Sequence, residues 1–167
     1  MFSISKVRRI FFISIIVLLT GLIGTQVCAG KEQLIILAND QDYQNAQRLI
    51  SDMQKYEVSY TRIDASKFEQ FKGEQYIFIL GGPKSGDGMD AIFKKVLSPE
   101  EYAFLEDSGN MDMYLKQDVW GKEQSVIVIG VSDSAQIKEM LFDFRPAWMG
   151  NLVDWFDLDI NWEEYVY

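Results

Sequence analysis

The sequence predicts an α/β fold. We expect a three-layer sandwich built on a mostly parallel sheet of four or five strands, Rossmann-like or flavodoxin-like in type. Short unbroken apolar runs at residues 34–38, 76–80 and 126–129 have the character of strands buried on both faces. Segments of helical spacing stand between them. Each run stops on turn-forming residues: Asn39 and Asp40, Gly81-Gly82-Pro83, and Gly130.

In chain order, the run at 34–38 follows a short polar lead-in, and Asn39 or Asp40 can cap the helix after it. Over 43–56, Ala46, Leu49, Ile50 and Met53 share one helical face, while Gln44, Gln47, Arg48, Gln54 and Lys55 cover the other. Residues 58–63 alternate with period two and carry β-branched and aromatic side chains, which predicts an exposed strand at a sheet edge. Asp64-Ala65-Ser66 leads into a short helical turn with Phe68 and Phe71, closed by Gly73. The stretch YIFILGGPKSGDG, 76–88, then states a buried strand and a sharp turn more plainly than any other.

A helix over 89–96 turns Ile92, Phe93 and Val96 inward. Ser98-Pro99-Glu100-Glu101 opens another: serine as N-cap, proline in the first turn, acids against the dipole. Residues 111–117 read as extended, and 126–129 as a further central strand. Ser132 or Asp133 caps a helix running through Phe144, and Arg145-Pro146 stops it. The α/β domain is thus expected over 31–145 and an acidic, aromatic C-terminal extension over 146–167. In that extension Asp157, Asp159, Asn161 and Glu163 alternate with Leu158, Ile160 and Trp162, as a strand with one acidic and one apolar face would. It either packs on the domain or docks another chain.

The first 29 residues have a different character. Lys6, Arg8 and Arg9 precede an apolar stretch that ends in Val27-Cys28-Ala29. That is the layout of a secretory signal peptide cut after Ala29, which predicts an extracytoplasmic, secreted or envelope-associated protein. Residues 10–29 are also about as long as a minimal membrane span, so an uncleaved N-terminal anchor is the rival reading. Cys28 is the only cysteine, and Val27 before it departs from the small residue usual at lipid-modified cysteines. Past the leader, 13 basic residues face 25 acidic ones. An acidic body of that kind excludes nucleic acid as a partner and repels anionic membrane surfaces. It leaves the membrane to the N-terminal segment alone.

The chain has no histidine. Histidine-dependent triads and histidine-ligated zinc sites are therefore impossible, and catalysis would have to rest on carboxylates, lysine, tyrosine or backbone amides. The turn at 81–88 lies where nucleotide-binding loops lie, between strand and helix, and its amides can cradle an anion. Its glycines, however, match neither the P-loop nor the dinucleotide spacing. If ligands bind at the carboxyl ends of the strands, Asn39, Asp40, Gly81, Gly82, Lys84, Ser85, Ser132 and Asp133 are the residues that converge there. Trp120 or the aromatic tail could instead plug that crevice. No organic cofactor is expected. Asp157, Asp159, Asn161 and Glu163 offer oxygens to a calcium ion, although an EF-hand loop would need glycine where Trp162 stands.

Two segments carry a resemblance. Ile79-Leu80-Gly81-Gly82-Pro83, together with Val119-Trp120-Gly121-Lys122 running into Val126-Ile127-Val128-Ile129-Gly130-Val131-Ser132-Asp133, resembles α/β domains of archaeal surface-layer and cell-envelope proteins. The last turn of those domains often continues with arginine and threonine, where this chain has Ser134-Ala135-Gln136. The resemblance implies a structural role and carries over no catalytic residue. The expectation is a non-enzymatic envelope protein acting through contacts with other envelope proteins. The alternative is an extracytoplasmic domain that binds a small ligand or anion, with or without enzymatic activity, at the carboxyl ends of its strands.

Overall fold

The computed structural model describes residues 33–161. The expected leader, Trp162 and Glu163 lie outside the described residues. Within them the chain forms a five-stranded sheet, with β1 at Leu34–Leu37, β2 at Tyr60–Ile63, β3 at Tyr76–Gly81, β4 at Met111–Gln117 and β5 at Ser125–Val131. The strand order is β2-β1-β3-β5-β4. β1 pairs in parallel with β2 and β3, and β3 pairs in parallel with β5. Only β4 is antiparallel, forming a hairpin with β5.

This order follows from the residues. β1 and β5 are buried along their whole length and β3 at every position but its first, so apolar side chains must be covered on both faces. β2 and β4 expose alternate or half-buried positions and take the two edges. Two separate apolar clusters result, one on each face. Leu34, Ile36, Phe78, Leu80, Ile127 and Ile129 pack one way, and Ile35, Leu37, Ile77, Ile79, Val126 and Val128 the other. The sheet is therefore the middle of three layers.

Helices α2 (Gln47–Lys55), α6 (Ile137–Asp143) and α7 (Arg145–Phe156) supply buried residues of the first cluster, and α1 (Asp40–Asn45) packs the half-buried Tyr43 against it. Helices α3 (Phe68–Phe71), α4 (Met89–Val96) and α5 (Pro99–Glu106) supply those of the second. The expected helix over 43–56 is thus two helices. They break at Ala46, whose backbone leaves the helical region at φ −91°, ψ 21°. The Ser98–Glu101 capping box forms as the sequence predicts, with both reciprocal bonds present.

Past Arg145-Pro146 the structure departs from the expected extension. Pro146 does stop α6, but it also sits in the first turn of α7, where its missing N–H costs nothing. α7 is part of the core. Trp148 is wholly buried and donates its indole N–H to the Leu141 carbonyl at 3.0 Å. Arg145 grips the buried Asp52 through two bonds, at 3.0 and 2.7 Å. Trp155 stacks on Tyr76 at 4.8 Å. No strand forms over 157–161, yet the alternation survives: Leu158 and Ile160 lie against the core while Asp157, Asp159 and Asn161 are exposed. Among the described residues no helix is long and apolar enough to cross a membrane.

Candidate functional site

Because β1, β3 and β5 are parallel, the loops that follow them leave the sheet at one end. Leu37 lies beside Ile79, and Gly81 beside Gly130. The chain after β1 enters α1 on one face, whereas the chain after β3 enters α4 on the other, and their divergence opens the sheet top.

Asn39 caps α1, its Oδ1 accepting from the Asp42 amide at 2.7 Å. Its Nδ2 reaches across to the carbonyl of Ser85 at 2.7 Å and ties the first loop to the second. Asn45 does the same toward the third loop, donating to the Ser134 carbonyl at 2.8 Å. The Ser134 hydroxyl donates to Asp42 Oδ1. The glycine turn is closed internally. The Gly82 N–H donates to Ser85 Oγ at 2.8 Å, and the Ser85 N–H returns to the Gly82 carbonyl at 3.1 Å. Gly82 must be glycine because a Cβ there would stand 1.8 Å from the Val131 carbonyl oxygen.

The expected site residues therefore divide. Asn39, Gly81, Gly82 and Ser85 come together. Asp40 points to the outer rim, where it pairs with Arg62, whose guanidinium lies 4.6 Å over the Tyr43 ring. Lys84 turns away to the Glu106 carbonyl at 2.6 Å. Ser132 and Asp133 serve the cap of the next turn. Asp133 accepts from the Ala135 amide at 2.8 Å, and Ser132 Oγ accepts from the Gly109 amide and donates to Gln136 Oε1, both at 2.9 Å.

Sequence reasoning missed Asp42, Asn45 and Ser134. Asp42 is fully buried, and its Oδ2 has no hydrogen-bond partner. Burial pushes this carboxyl above its ordinary value. The Ser134 hydroxyl and the nearby Ser85 hydroxyl pull it back, and the charge on Asp133 raises it again. Ser85 stands close enough to exert that influence, but its geometry falls short of a hydrogen bond, which leaves Oδ2 unpaired.

Two hollows remain around this knot of loops. One of about 250 Å3 is lined by Asn39, Asp40, Arg62, Asp64, Ser66 and Asp87 among others. The other, of about 280 Å3, lies between Lys84, Ser85 and the residues 131–134. The first rim carries three acids against Arg62, and the second sets Asp133 against Lys84. The Gly82 and Ser85 amides that an anion would use are already spent inside the turn. Lys84, the sequence neighbour of Ser85 that could act as a base, is engaged on the Glu106 carbonyl.

Neither Trp120 nor Trp155 reaches this end, and Trp162 lies outside the described residues. Trp120, in the turn between β4 and β5, packs edge-on against Phe68 at 4.9 Å, and its backbone N–H donates to Gln124 Oε1 at 2.9 Å. Trp155 lies on Tyr76, where β3 begins. Asp157, Asp159 and Asn161 follow α7 in irregular chain, and among the described residues no cluster of three acidic side chains is placed to hold a metal ion. No protein family, curated protein or solved structure matches this chain.

Proposed function

We propose that this chain is an exported cell-envelope protein whose α/β domain works by protein contact rather than by catalysis. The observation that carries this reading is the self-consumption of the polar groups at the carboxyl ends of the strands. Asn39, Asn45, Gly82, Ser85, Ser132 and Ser134 bond one another or neighbouring backbone. A catalytic crevice of an α/β sheet presents such groups to a substrate instead. We read the strand order as a flavodoxin-like doubly wound sheet with an antiparallel edge, its reversal between β1 and β3. The leader reads as a signal peptide removed after Ala29, and the likeness of the 79–83 and 119–133 segments to archaeal envelope domains supports a structural role.

A second reading rests on the hollow beside Asn39, which stays open at the point of reversal. Its mixture of Arg62 with Asp40, Asp64 and Asp87 suits a small polar ligand bearing both charges rather than a bare anion. Affinity capture of the tagged protein from its native envelope, with mass spectrometry of bait and partners, decides between the two. The contact role requires stoichiometric envelope partners, and export requires a mature terminus at Gly30. Recovery of the protein alone, together with a small polar compound that raises its melting temperature, overturns the contact role.

A further inference from the structure

β4 closes one side of the sheet, and among the described strands none lies beyond it. The two ends of β4 fix which of its backbone groups face outward. The Ser132 N–H donates to the Asn110 carbonyl and the Asp118 N–H to the Gln124 carbonyl, both at 2.9 Å. Bonded and non-bonded pairs alternate along an antiparallel ladder. Asp112, Tyr114 and Lys116 therefore bond β5, while the N–H and C=O groups of Met111, Met113, Leu115 and Gln117 point away from it. Among the described residues those outward groups make one bond, a local one from the Met113 N–H to Asp112 Oδ1 at 2.8 Å.

A bare edge is a template for another strand, and proteins that stay single ordinarily break theirs with a proline, a bulge or a very short strand. β2, at the opposite side, is four residues long. β4 runs for seven, holds no proline and keeps an unbroken register with β5. Its side chains divide by face. Met111 and Met113 lie against the first apolar cluster, and alternation puts Leu115 on the same side, where it is 47% exposed. Tyr114 lies on the other side, with Asp112 and Lys116 flanking it two positions away in either direction.

We propose that β4 pairs antiparallel with β4 of a second copy of this chain, about a two-fold axis through Tyr114, so that two five-stranded sheets continue as one. Charge complementarity selects the partner and the register. With Tyr114 opposite its own copy, Asp112 stands opposite the partner's Lys116 and Lys116 opposite the partner's Asp112. On the other face Met113 meets the partner's Leu115, twice over. An axis at Leu115 would set Asp112 against the partner's Asp118, and an axis at Asp112 or Lys116 would set like charge on like. An axis at Met113 leaves both charges without an opposite. On pairing, the Met113 N–H passes from Asp112 Oδ1 to the partner's Leu115 carbonyl, which frees that carboxylate for the partner's Lys116. Lys116 can serve both acids. Its Nζ gives two bonds to Glu101 at 2.6 Å, and an ammonium has a third proton to give. The pairing supplies a surface for the contact role proposed above, but it does not require envelope partners.

The test is cysteine cross-linking in cells that make the full chain, in a Cys28→Ser background so that each variant carries one thiol. Opposite residues of a non-bonded pair lie about 4.5 Å apart at Cα, within reach of a disulfide, so Tyr114→Cys should cross-link to its own copy. Asp112→Cys and Lys116→Cys, each about 14 Å along the strands from its own copy, should cross-link only when made together. Equal cross-linking of all three alone, no dimer from Tyr114→Cys, or its capture on a different protein overturns the pairing. Hydrogen exchange in the wild-type chain decides the matter even where a variant does not fold. The Met111, Leu115 and Gln117 amides should slow about tenfold as protein concentration rises through the dimer midpoint, and exchange independent of concentration rejects the proposal. Asp112→Lys makes an acidic body less negative, so unspecific association would tighten. The proposed register sets the new charge against Lys116 and should weaken the dimer about tenfold, and tightening overturns it. A dimer captured without envelope proteins keeps the pairing and removes the envelope role, whereas envelope partners on a monomer do the reverse.

Discussion

Replacing Gly82 with alanine places a methyl carbon 1.8 Å from the Val131 carbonyl oxygen, where real Cβ contacts stay beyond 3.0 Å. The obstacle is backbone, so no side-chain rotation relieves it, and the turn after β3 has to lift away from β5. Three hydrogen bonds go with it: Gly82 N–H to Ser85 Oγ, Ser85 N–H to the Gly82 carbonyl, and Asn39 Nδ2 to the Ser85 carbonyl. At about 1 kcal/mol net for each, the loss is about 3 kcal/mol. Urea slopes of about 1–3 kcal/mol per molar convert that into a midpoint lowered by about 1–3 M. Equilibrium urea unfolding followed by tryptophan fluorescence measures it. Gly86→Ala is the control: nothing lies within 4 Å of its Cβ, but its φ of +74° makes alanine strained there, at about 1–2 kcal/mol. The reasoning fails if Gly82→Ala unfolds within about 1 kcal/mol of the wild type, or if Gly86→Ala is the more damaging change.

Trp148→Ala removes the largest fully buried side chain among the described residues and strands the Leu141 carbonyl, for an expected loss of about 3–5 kcal/mol in calorimetric unfolding. A loss under about 1 kcal/mol would show that α7 is a removable appendage. Arg145→Met leaves Asp52 buried with Arg48 at 3.6 Å as its remaining ion pair among the described residues, and should cost about 3 kcal/mol. The double variant with Asp52→Leu should recover most of that, and a double variant as unstable as the single one contradicts the argument. Glu101 is pushed up by burial, but the Lys116 ammonium and the Ser98 amide outweigh this and hold it below the ordinary glutamate value of 4.5. Its contribution to stability is therefore present above that value and lost as pH falls through the lower folded-state midpoint. Lys116→Met should flatten the acid limb of a melting-temperature profile below pH 4.5, and an unchanged limb would show the pair to be inert.

The central strands were legible because burial on both faces admits little but apolar residues. Past the leader, no other segment produces runs like those at Leu34, Tyr76 and Val126. The capping box at Ser98 was legible because its bonds are local. β4 was harder to read: Met111–Gln117 mixes charge with apolar residues, and its antiparallel sense is decided by the hairpin with β5 rather than by its own letters. α7 was hidden because Pro146 signals both the end of one helix and the first turn of another. The site was half-visible. Asn39 and the glycine turn announce themselves through backbone geometry. Asp42 does not, because an aspartate three residues past an N-cap looks like an acid serving the helix dipole. Only the burial of α1 under the loops after β3 and β5 reveals it. The spacing Asn39-x-x-Asp42-x-x-Asn45 was the one available signal, polar residues on the helix face that turns to the sheet top.

The first strand begins at Leu34 beside Tyr76, and the last helix ends with Trp155 lying on that same tyrosine. The domain thus receives and releases its chain at one pole, while the knot of loops around Asn39 and Ser85 occupies the opposite one. With β3 spanning six residues, the poles stand about 20 Å apart. Load entering at Leu34 and leaving at Trp155 would act at that one pole. Load carried through the chain would bypass the knot, whose residues remain free to face outward from whatever the domain is fastened to.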